Sequence, residues 1–510
     1  MSGGAVPVGK RGGGLVPREL RRGVGAGLGG ATAGLAAGLL ALSGHIVGIA
    51  ALLLLFIPVL MWRRTEATPV VLLIAALLVE QYHVTVDPNM VGAPAPAIPI
   101  TSSIPLFSGI GSLHIEPADI LLLVAFSVCL LKGAELAPRR LRSPLAFSIA
   151  GVIAVVLLGL LVGAAHHFNL RVALQETRPY LYLAATFALT ALLIRSRSAV
   201  QTMLWALVVA EPLKSLQGVV LYIQTRSWPS PPEALLGHEE AYFFALYILL
   251  VGALWLFDIK GALRKTATTL LPLVIFADLV NNRRAAWLIL GGGLVTLVVI
   301  AYVSVPERRR VISRAVAVLV VAFAAYLPIF WNASGPLGQP AHAIKSAFSP
   351  DQRDQASDLY REQEDANLQY NIRQGGVTGK GFGIPIDYAL PIVDIQPIDP
   401  DIRYIPHNGV LYQLMRMGLL GGLAFWSMLG CGILAGCRLA RAPDKLLAAV
   451  GTLVACALVG YALDGATDQG FYFYRVAFAT GALLGLAEAA RHLLAGRGSM
   501  LETAPAETQA

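Results

Sequence analysis

Stretches of about 17 to 25 mostly apolar residues recur along this chain, each long enough to carry a helix across a hydrocarbon core roughly 30 Å thick. They lie near 23–43, 46–62, 69–86, 118–136, 144–164, 178–194 and 199–224, and then near 241–257, 267–282, 285–305, 312–330, 409–436, 446–463 and 474–494. Inside a bilayer only a helix satisfies every backbone N–H and C=O within its own segment, so the runs predict helices. Composition agrees: 56% of the 510 residues are hydrophobic and 14% charged, against about 25% charged in soluble domains. The expected class is an all-α polytopic membrane protein, a bundle of about 12–14 transmembrane helices with one long, partly helical outer loop. The Gly/Ala-rich run near 23–43 buries little area per residue, which makes the count a range.

The net charge of +8 is not a nucleic-acid signal here, because in such a chain the side on which positives collect matters more than their sum. Alternating the connections from a cytoplasmic N-terminus gathers 25 of the 39 Lys and Arg on one face. They include Arg63 and Arg64, Arg139 and Arg140, Arg308 to Arg310, and Arg438 with Arg441. The short connections on the opposite face hold only Arg171, Arg178, Arg226, Arg283, Arg284 and Arg475. The positive-inside rule then puts both termini in the cytoplasm of a bacterial inner-membrane protein and turns the segment 331–408 outward. The expected organisation is a basic tail (1–22), an N-terminal transmembrane bundle (23–330), the outer loop (331–408), C-terminal transmembrane helices (409–494) and a disordered cytoplasmic tail (495–510). The four cysteines lie in or beside apolar stretches without metal spacing, and neither a disulfide nor a zinc site is expected.

Within the outer loop, Ser349-Pro350-Asp351-Gln352 predicts a helix start with Ser349 as cap, and Gly375-Gly376 predicts its end. Ala356, Leu359, Tyr360, Leu368 and Ile372 would form a ragged apolar stripe that lies over the bundle. Beyond it, Gly379-Lys380-Gly381-Phe382-Gly383 and a proline-rich run exclude regular helix up to His407. The glycine run could cradle a phosphate through its N–H groups, but no strand precedes it, which argues against a nucleotide fingerprint and leaves a turn as the simpler reading.

The informative residues break the positive-inside pattern. Arg178 opens a span, and Arg283 and Arg284 are adjacent in Asn281-Asn282-Arg283-Arg284-Ala285-Ala286-Trp287. A guanidinium at headgroup depth either snorkels to lipid or grips a diphosphate whose lipid tail stays in the bilayer; the adjacent pair favours the second. His407, followed by Asn408 and Gly409, sits where the loop re-enters the membrane, as a helix cap or as a proton acceptor near neutral pH. His166-His167 and His238-Glu239-Glu240 lack the i, i+4 spacing of a metal pair on a helix and read as solvated loop residues; no metal is expected. Glu211 and Lys214 flank Pro212 and could pair on a kinked turn, either bracing the kink or marking a transport path.

The order of an Arg-Ala-Ala-Trp turn, a long outer loop, a Gly-x-Gly-x-Gly run and His407-Asn408 before the last helices resembles the O-antigen ligase and polymerase family, over roughly 270–430. Arg284 before Ala285-Ala286-Trp287 aligns best with the family's arginine, although the family commonly has Ser-Arg where this chain has Asn282-Arg283-Arg284. The resemblance implies a membrane glycosyltransferase that moves a glycan from an undecaprenyl-diphosphate carrier to an acceptor hydroxyl on the outer face, with inversion and without metal or other cofactor. His407 would accept the hydroxyl's proton, Arg284, Arg283 and Arg178 would neutralise the departing diphosphate, and Gly379, Gly381, Gly383 and Asn408 would support them. Ligase and polymerase share this donor chemistry. The competing classes are a transporter or flippase for an anionic lipid-linked glycan or solute, and a non-catalytic subunit of envelope assembly.

Overall fold

The computed structural model describes residues 56–80, 106–107, 115–132, 141–228, 232, 234–333, 335–396 and 401–502. The expected tail 1–22, the span near 23–43, most of that near 46–62 and the end of the chain lie outside them. The fold is all-α, with no strand among the described residues. Its helices are α1 (Ala67–Leu78), α2 (Pro117–Leu131), α3 (Pro144–Ala165), α4 (Leu170–Leu193), α5 (Arg197–Thr225), α6 (Glu240–Leu256) and α7 (Ala262–Asn281). There follow α8 (Arg284–Ser304), α9 (Arg309–Phe330), α10 (Gln339–Phe348), α11 (Gln352–Gly375), α12 (Gly409–Leu439), α13 (Lys445–Thr467) and α14 (Tyr474–Glu502). Among the described residues six helical segments are long and apolar enough to cross a membrane: α3, α5, α8, α9 extended back to Pro306, α12 and α13. The shorter apolar helices are α1, α2 and α6.

Helix starts follow local chemistry. Ser143, Asn169, Ser196 and Asp444 each accept a hydrogen bond from a backbone N–H of the helix they precede, and Pro144 fills the first position of α3. In the core α14 packs on α4, α12 on α13 and α3, and α13 on α8 and α6. By contrast α9 buries none of its residues, and its apolar surface faces outward.

Burial of charge is selective. Lys214 Nζ sits 2.6 Å from Glu80 and 3.7 Å from Glu240, while Arg475 bridges Glu239 at 2.9 Å and Glu240. The partner that holds Lys214 closest therefore comes from beyond α1, not from its own turn at Glu211, because a side chain reaches a neighbouring helix as readily as its own. In α12, Arg416 is fully buried, paired with Glu176 and donating to the carbonyls of Gly381, Ile384 and Tyr404.

The helix expected after Ser349 is α11, with two corrections. Asp351, not Ser349, is the cap; its Oδ1 accepts from the Asp354 N–H at 2.8 Å. The buried side is polar as well as apolar: Asp354, Glu364, Asn367 and Asn371 are buried with Leu368, whereas Ala356 and Leu359 are exposed. Asn367 and Asn371 use their amides to hold the backbone of Asp387 and Leu390, which is why asparagines face inward.

Candidate active site

The α7–α8 turn, α10, α11, His407 just before α12 and the end of α13 line a cavity of about 810 Å3, within the range of small-molecule sites. Arg283, Arg284 and His407 all line it, with Arg361, His238 and Asp468. The turn works because Asn282 takes a left-handed conformation, φ 54° and ψ 46°, which asparagine tolerates better than most residues. That reverses the chain sharply enough to start α8 at Arg284.

The two arginines differ. Arg283 donates to the Leu236 carbonyl at 3.3 Å. Arg284 is 35% exposed and reaches Asp358 at 3.3 Å and Asp354 at 3.6 Å, so its guanidinium is held by α11 while a face remains open to the cavity. Arg178 stands elsewhere: it is nearly buried, 3.1 Å from Asp119 and 3.5 Å from Glu116, and does not line the cavity. The structure does not bring it together with Arg283 and Arg284, and two carboxylates at the start of α2 neutralise it.

His407 precedes α12, and the cap is its neighbour Asn408, whose Oδ1 accepts from Val410 and Leu411 N–H at 3.1 Å. Glu364 of α11 grips His407 twice: Oε2 accepts its backbone N–H at 2.9 Å, and Nδ1 lies 3.3 Å from both carboxylate oxygens. Tyr360 packs edge-on against the ring. Burial opposes charge on the imidazole, but the hydrogen bond and charge of Glu364 outweigh it, with Asp468 assisting and Arg361 opposing, so the His407 pKa is raised.

The glycine run is not open to a phosphate. Lys380 N–H donates to Met415 O at 2.7 Å, Gly381 N–H to Arg416 O at 3.0 Å, Phe382 N–H to Gly159 O at 3.2 Å, and Gly383 N–H to the Glu176 carboxylate. Gly379, Gly381 and Gly383 have φ of 75°, 84° and 75°, and the run threads between α3 and α12, where a Cβ on Gly381 would come within 2.3 Å of Gly163 N. It wedges the loop into the bundle and places the return to His407.

Sequence reasoning passed over the lining residues Asp354, Asp358 and Arg361, and Glu364, which holds His407 from behind the cavity wall. They sit in a charged helix with no motif, and only its position over the bundle gives them meaning. His238 is not a loose solvated residue, because its Nδ1 lies 2.8 Å from Asp468. Ligand atoms of His342, Asp351 and Asp354 lie within 4.8 Å of one another. A cation bound there would compete with Arg284 for Asp354.

No curated protein matches the chain. Residues 267–426 match the family model described as O-antigen ligase. That stretch runs from within α7 through the arginine turn, α11, the glycine run and His407 into α12, and it is over these residues that the chain is similar to the O-antigen ligase family.

Proposed function

We propose that this protein transfers a glycan from an undecaprenyl-diphosphate carrier to an acceptor hydroxyl, in the cavity between α8, α11 and the start of α12. The observation that carries the reading is that Arg283, Arg284 and His407, which come from separate parts of the chain, line one chamber. Glu364 holds Nδ1 of His407, which leaves Nε2 to take the acceptor's proton. As the acceptor oxygen bonds to the anomeric carbon, the bond from that carbon to the diphosphate oxygen breaks on the opposite side, which inverts the centre. The negative charge collects on the diphosphate, where forked guanidinium donors stabilise it. The charge asymmetry of the connections supports a chamber on the outer face with both termini in the cytoplasm.

His407→Ala, inserted and folded like the parent, should lose about two to four orders of magnitude in transfer from purified lipid-linked glycan. Full transfer by that variant removes the proposed base. Retention of the anomeric configuration in the product removes single displacement. In cells lacking the protein, single repeat units would identify a polymerase and unattached long chains a ligase.

A further inference from the structure

The chamber contains a second imidazole on a carboxylate. His238 lies just before α6, its side chain is 46% exposed, and its Nδ1 is 2.8 Å from Oδ2 of Asp468, whose own side chain is 9% exposed. Asp468 ends α13; its Oδ1 accepts the Gln469 N–H at 2.8 Å. Burial opposes its charge, but the His238 ring, the hydrogen bond to it, Arg361 and the Gln469 amide hold the Asp468 carboxyl well below its usual range. With Nδ1 so engaged, Nε2 is the ring atom left for a ligand.

Its surroundings tie His238 to the arginine turn. Two residues before it, Leu236 donates its N–H to Asn281 Oδ1 at 2.9 Å and accepts from Arg283 at 3.3 Å. The Phe473 ring lies 6.4 Å from the imidazole at 32°. The other charged groups near the pair are accounted for: Glu239 is bound to Arg475, Asp464 lies one turn back on α13, and Arg361 reaches over from α11 to donate to Thr467 O at 2.9 Å. His407 instead hangs from α11 through Glu364.

We propose that His238 is a third binding group for the donor diphosphate: Nε2 donates a hydrogen bond to a phosphate oxygen beside Arg283 and Arg284, and Asp468 balances the doubly protonated ring. The inference rests on the glycan-transfer reading.

The test measures binding of undecaprenyl diphosphate to the full-length protein in nanodiscs, with undecaprenyl monophosphate for comparison, alongside transfer kinetics. For His238→Gln the diphosphate affinity should fall about tenfold, as for one charge-assisted hydrogen bond, with KM rising and kcat largely kept. Asp468→Asn, which keeps the ring but not its counter-charge, should show a smaller loss in the same direction. His407→Ala should lose turnover yet bind the diphosphate normally. Unchanged affinity in His238→Gln, or lost turnover at unchanged affinity, overturns the assignment while leaving the glycan-transfer reading intact. Wild-type protein that binds no diphosphate overturns both.

Discussion

The arginines of this protein show how little a residue's type says about its task. Arg178, Arg416 and Arg475 are buried on carboxylates, whereas Arg284 keeps an open face on the cavity. A lysine supplies charge but not the fork, so Arg284→Lys should raise the donor KM by about tenfold with little change in protein stability, measured by transfer kinetics and thermal unfolding. The same change at Arg283, which already donates to Leu236, should cost less in donor KM; the reverse order would make Arg283 the principal diphosphate group. For His407 the sign of the pH effect follows from Glu364. A base must be unprotonated, so the raised pKa places the acidic limb of kcat/KM above where an ordinary histidine would put it. Glu364→Gln should move that limb to lower pH and reduce kcat by about one to two orders of magnitude, less than loss of the ring. The His407–Glu364 contact also stabilises the fold most below the ordinary histidine pKa and fades as pH rises through the raised one.

Among the elements, α12 is the one whose irregularity matters. Gly418 has φ 61° and ψ −159°, a backbone conformation essentially confined to glycine. The break lets the loop at Val377 and Gly379 press against the helix, and Leu420 N–H donates to Val377 O at 3.3 Å. A Cβ there would sit 2.2 Å from that carbonyl oxygen. Gly418→Ala should therefore cost at least about 1–3 kcal/mol, seen as a lower unfolding temperature in detergent, and should reduce transfer by displacing the loop that leads to His407. From sequence, Gly418 is one of many glycines. Nothing local shows that a second segment needs the space, and for the same reason the glycine run read from sequence as a turn and not as a wedge between helices.

For the molecule as a whole, the positions of charge predict the side on which the chamber opens. Ala356 is exposed on α11 and Lys445 is exposed at the start of α13, toward opposite ends of the bundle. In a cysteine-free background, Ala356→Cys should react with a small membrane-impermeant thiol reagent in intact cells, and Lys445→Cys only after the inner membrane is permeabilised. The opposite pattern would put the chamber in the cytoplasm and end the proposal of an outer-face transferase.

The helices of the bundle were legible because bilayer length and apolar composition are properties of short windows: α3, α5, α8 and α13 begin and end within a few residues of their apolar runs. The arginine turn and His407 were legible for a related reason, since a charge or an imidazole at a span's end stands out against apolar neighbours. Their sharing a cavity was not, nor was the departure of Arg178 to Glu116 and Asp119. Glu364, Arg361 and the His238–Asp468 pair belong to the same class, because their partners lie 43 to 230 residues away in the chain. Periodicity and composition report which face of a segment avoids water; which carboxylate meets which cation depends on how the helices pack, and only the folded bundle decides that.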